Sequence, residues 1–135
     1  MRMIQVPKSK PILAWRAWLI KETMVNQFTT KKMLTSTNFQ RHRWQKFKKA
    51  DRAPQLNSDE HGIWAYDTLE KCKNRFGDVT EHAYGQVALW GKVAVHVNGY
   101  RAEFAEIRGL VPTHKVITVK YVNAPFDLVT KFGRA

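Results

Sequence analysis

Residues 84–110, YGQVALWGKVAVHVNGYRAEFAEIRGL, decide how the rest of the chain is read. Asn98-Gly99 sits there between two runs of β-branched, aromatic and small residues. Asn-Gly suits the two central positions of a type I′ turn, both at positive φ, whose twist matches the strands it joins. The pattern predicts a long hairpin over about 84–110. Strict alternation puts Val87, Leu89, Val93, Val95 and Val97 on one face, with Ala88, Trp90, Lys92, Ala94 and His96 on the other. On the return, Tyr100, Ala102, Phe104 and Glu106 alternate with Arg101, Glu103, Ala105 and Ile107. A hairpin with one apolar face needs a second layer.

The flanks are read as supplying that layer. Upstream, Asp67-Thr68-Leu69-Glu70 has capping-box spacing, with Asp67 as N-cap and Glu70 reaching back. A helix over about Thr68–Phe76 follows, and Gly77 is a suitable stop. His61–Tyr66 reads as a short strand, and Ala50–Glu60 as a polar loop. For Ile12–Ile20, period alone does not separate helix from strand, but two Trp between Ile residues suit a pleated surface, so a strand is expected. Residues 21–31 then form a connection, and Lys32–Phe39 pairs back. Met1–Pro11 is extended. Downstream, His114–Val122 alternates as a further strand, and 123–135 forms a closing turn or a tail. The sum is an α+β fold: a mostly antiparallel twisted sheet with one or two packed helices. At 135 residues the chain is expected to be one domain, with a basic third over 1–50 and a sheet-rich core over 61–122.

The charge is lopsided. Residues 1–50 hold twelve Lys/Arg against one acid, Glu22; residues 51–135 hold eleven against ten. Nearly all of the net +12 therefore belongs to the first third. A concentrated positive field attracts polyanions and speeds their encounter. The lone Cys72 excludes an internal disulfide and a Cys-rich zinc site, which fits a reducing cytoplasm. The apolar patch Ile12–Ile20 is broken by Arg16 and is too short to span a bilayer, and no signal-peptide pattern precedes it.

The densest basic run is Arg41–Lys49, RHRWQKFKK, interrupted by Trp44 and Phe47. Residues 38–50 fit a helix capped at Thr37 or Asn38, or a strand. Two readings stand for the rings: anchors to the core, or platforms on which bases stack. On the second, Lys31, Lys32, Arg41, Arg43, Lys46, Lys48 and Lys49 neutralise phosphates while Trp44 and Phe47 stack on bases. With no helix-turn-helix or zinc-finger spacing, RNA or another single strand is the expected partner, at low sequence specificity. An acidic protein as docking partner explains the same charge.

Chemistry has weaker support. There is no P-loop, G-x-G-x-x-G, H-E-x-x-H, G-x-S-x-G or C-x-x-C. The five His are scattered, so no metal site and no cofactor is expected. Arg101 and Glu103, two apart on one strand, with His96 nearby, are the candidates for a nucleotide- or nucleic-acid-processing site. A cross-strand ion pair involving Lys92 is the structural alternative.

Three elements carry a family likeness: Gly62–Ala65 (GIWA), Gly85–Val93 (GQVALWGKV) and Gly99–Glu103 (GYRAE). In this the chain resembles a group of small bacterial and phage proteins with a GI(Y/W)A, GxVxLWGxV, GYRAE pattern. The resemblance implies a shared fold and assigns no activity. Paired Cys typical of that group before the Gly-Ile element are replaced here by Asp59 and His61, so a thiol metal site is absent. The basic third lies outside the likeness.

Overall fold

The structure is a computed structural model and describes residues 2–27, 29–35, 44–56, 61–76, 82–111 and 127–128. Its strands are β1 (Arg2–Val6), β2 (Ile12–Asn26), β3 (Thr29–Thr35), β4 (Phe47–Lys49), β5 (Ile63–Tyr66), β6 (His82–Val95), β7 (Gly99–Leu110) and β8 (Asp127–Leu128). Among the described residues there is one helix, α1 (Leu69–Phe76). Every pairing is antiparallel except that of β7 with β8. The fold is α+β but dominated by strands.

The sheet closes on itself. β6 pairs with β2 along one edge and β7 along the other; β7 pairs with β5, and β5 returns to β2 through Trp15 opposite Tyr66. β1 extends the β2 edge of β6, from Arg2 opposite Val95 to Val6 opposite Gly91. β4 continues the β5 edge of β7. A donor from Trp44 N to Leu34 O (2.9 Å) ties the chain before β4 to the end of β3. Closure gives β2, β5, β6 and β7 neighbours on both sides, while β1, β3, β4 and β8 each pair with one strand among the described residues.

Two apolar clusters hold this circuit. The larger gathers Trp18, Leu34, Trp44, Val87, Leu89, Ile107 and Leu110, with Trp18 and Trp44 edge to face at 5.4 Å and 71°. The smaller seats α1: Leu69 and Cys72 pack on Trp15, Ala17, Tyr84 and Val111. Burial pushes the Cys72 thiol up to about 12, although the nearby Arg16 charge opposes it. The thiol is therefore neutral and inert at neutral pH.

Several expectations change. β2 runs on to Asn26 and β3 begins at Thr29, so the connection foreseen over 21–31 is mostly strand; Glu22 lies opposite Lys32 in its register. The helix is capped by Thr68, whose Oγ1 accepts from Lys71 N at 3.2 Å. Asp67 instead accepts from Lys71 Nζ at 3.0 Å. Residues 44–50 contain no helical turn, and Phe47–Lys49 is a strand.

The tight turn also sits one residue earlier than the Asn-Gly signal implies. His96 N donates to Gly99 O (2.8 Å) and Val95 faces Tyr100, so Val97 and Asn98 are its central residues. Gly99 is the first residue of β7 and lacks a positive φ. A Cβ there would strike the Ala65 carbonyl oxygen, so glycine is needed for close strand approach. The strand foreseen at 114–122, the closing segment, the Gly77 stop and the 37–38 cap lie outside the described residues.

Candidate nucleic-acid interface

Strict alternation fails in β6 at Gly91. Trp90 faces Phe104 but Val93 faces Ala102, so β6 carries one extra residue there, and Gly91 has φ +82°. This bulge turns Val93 and Val95 to the face of Trp90, away from Val87 and Leu89. A Cβ at Gly91 would lie 2.6 Å from Phe104 Cδ2 and 2.7 Å from Glu103 Oε1. Glycine thus lets the Phe104 ring and the Glu103 carboxylate close on the bulge, where Lys92 N donates to Glu103 Oε1 at 3.1 Å.

Across the adjacent strands β4, β7 and β6, Lys49 stands opposite Phe104 and Phe104 opposite Trp90; Phe47 is one step along, opposite Glu106. Three rings consequently share one face. Trp90 and Phe104 stack at 5.8 Å and 15°, Phe47 and Phe104 at 6.2 Å and 26°, and Phe47 meets Trp90 at 5.7 Å and 37°. Phe47 is 49% exposed and Phe104 half-buried, whereas Trp90, 8% exposed, belongs to the larger core cluster, so Phe47 offers the open ring and Trp90 backs it. Lys8 Nζ lies 5.5 Å from the Trp90 ring centre and Lys49 Nζ 5.7 Å from that of Phe104. Lys46 is exposed beside β4. Glu106 on this face is engaged by Arg108 at 3.3 Å.

The other expected residues separate. Trp44 is 1% exposed in the core, so its ring is not available to a base. Lys48 turns from the aromatic face toward Trp44, its Nζ 5.3 Å from that ring centre. Burial and the neighbouring Arg16 charge hold the Lys48 pKa below its ordinary value, against the opposing pull of Asp51. Lys31 and Lys32 belong to β3, where the description reaches their backbone alone; Arg41 and Arg43 lie outside the described residues. Lys8 and Phe104 were not among the expected contacts, whereas Trp90 reads in sequence as either part of a second core or an exposed platform. The signal for them was Trp90 followed by glycine, which marks close approach in a strand.

The three residues weighed for catalysis, Arg101, His96 and Glu103, all make contacts within the fold. Arg101 is fully buried; its Nε donates to His96 Nε2 (2.9 Å), Nη1 to His61 O (2.8 Å) and Nη2 to Gln55 O (3.1 Å). The guanidinium therefore ties the loop before β5 to the hairpin end. His96, an acceptor at Nε2, meets the 43%-exposed Trp64 ring at 4.7 Å and a 35° tilt. Glu103 meets the Lys92 amide rather than its ammonium, in place of the cross-strand ion pair. Among the described residues no group of three metal-ligating side chains converges, and no helix is long and apolar enough to cross a membrane. No protein-family profile, curated protein or solved structure matches the chain.

Proposed function

We propose that this protein binds single-stranded nucleic acid, RNA foremost, on the face carrying Phe47, Trp90 and Phe104. The observation that carries the reading is the three-ring cluster with ammonium groups set over it, Lys8 by Trp90 and Lys49 by Phe104. Bases stack on aromatic faces irrespective of sequence, at about 1–3 kcal/mol per base, while lysines neutralise the phosphates between them. Specificity is accordingly low. Small, partly open antiparallel barrels bind oligonucleotides on a strand face, an analogy with the antiparallel sheet here and not a likeness of fold. The basic β2–β3 region adds to the field that draws a polyanion in.

The test is titration of fluorescein-labelled oligouridylate, the matching DNA strand and a duplex at several salt concentrations. The reading expects both single strands to bind better than duplex, RNA at least as well as DNA, with affinity falling steeply as salt rises. A salt-insensitive complex or a preference for duplex contradicts it. Failure to retain any oligonucleotide, with capture of an acidic protein instead, would favour a docking role.

A further inference from the structure

We propose that Arg16 and Lys48, both set against the ring of Trp44, form a phosphate-binding site distinct from the aromatic face. Arg16 Cζ lies 4.5 Å and Lys48 Nζ 5.3 Å from the centre of the Trp44 ring. The two charges are therefore within about 10 Å of each other, roughly one screening length in ordinary salt.

Like charges held together in a partly buried place are costly unless an anion joins them. Among the described residues, the neighbours supply little of it. Cys72 and Tyr66, which also act on Arg16, are both pushed toward their neutral forms by burial, and Asp51, which acts on Lys48, is exposed. Arg16 Nη1 donates to Trp64 O at 2.6 Å. That bond fixes the guanidinium plane and directs its other edge, Nε and Nη2, elsewhere. Nε is buried and has no hydrogen-bond partner. A buried donor of this kind calls for a water or an ion. The Nε–Nη2 edge matches two oxygens of a phosphate, and a second cation favours phosphate over the singly charged carboxylate.

The site rests on different atoms from the stacking face and does not depend on it. Its ligand is either free phosphate or a phosphodiester of a bound strand, and two probes separate these. Melting midpoints are measured for the full chain with inorganic phosphate or with uridylyl-uridine, chloride holding ionic strength constant. The wild-type midpoint should rise with ligand concentration, logarithmically once saturated. A rise with phosphate alone assigns the free anion; a rise with the dinucleotide that Phe47→Ala keeps and Lys48→Met removes assigns a strand phosphodiester.

Lys48→Met should abolish the rise, while Phe47→Ala should preserve the phosphate response. Without phosphate, Lys48→Met should melt at or above the wild-type temperature, because it removes one of two like charges. A wild type indifferent to both probes, a Lys48→Met variant that responds as fully, or one that melts lower without phosphate would overturn the site. The last result would mean that an acid already neutralises the pair.

Discussion

Trp44 and Phe47 stand three residues apart in one basic run and end in opposite environments. Trp44 lies in the core against Trp18; Phe47 opens on the surface beside Trp90 and Phe104. Their residue types would not separate them. Backbone pairing does: Trp44 N is held by Leu34 O, while Phe47 enters β4 opposite Glu106. A basic run laced with aromatics thus contains two kinds of ring, one that holds the fold and one that lies open on the surface.

The contrast can be broken by substitution. Trp44→Ala should cost about 3–5 kcal/mol in a denaturant titration, the range for emptying a core aromatic site. A loss near zero would move the ring out of the core. Gly91→Ala should cost about 1–3 kcal/mol, because it meets both a positive φ and the Phe104 ring. It should also weaken oligonucleotide binding by displacing that ring; retained affinity would separate the bulge from the face.

The smaller cluster offers a pH test of the same kind. The Cys72 thiol ordinarily titrates at 9.0 and is raised to about 12 in the fold. A raised value means the stabilisation is complete below pH 9 and drains away as pH climbs through 12. The contribution falls by at most about 1.4 kcal/mol per pH unit in that window. Denaturant midpoints for wild type and Cys72→Ala should converge as pH rises above 9; parallel curves would contradict the buried thiol.

At the helix start, Thr68→Ala should cost about 1 kcal/mol and Asp67→Ala only a few tenths, since the Asp67–Lys71 pair is partly exposed. The reverse order, read from thermal melts, would restore Asp67 as the cap.

Much of the strand content was legible because aromatic and β-branched residues suit a pleated surface, as in Ile12–Ile20 and on both arms around Asn98. The candidate face was not, and the reason is local. Period-two reading assumes that no residue is inserted, whereas the extra residue at Gly91 carries Val93 to the side of Trp90. Asn98-Gly99 misplaced the turn by one position because Gly99 answers to the Ala65 carbonyl rather than to a turn. Arg101 was distinctive in sequence, yet its neighbours there do not reveal the distant carbonyls of Gln55 and His61 that hold it.

The most direct measurement is the affinity of Phe47→Ala for single-stranded RNA by fluorescence anisotropy, with Leu56→Ala as an exposed apolar control. Loss of one stacked base corresponds to about tenfold weaker binding, so Phe47→Ala should bind about ten times more weakly while Leu56→Ala matches wild type. Equal affinity in all three proteins would contradict the aromatic face as the seat of binding.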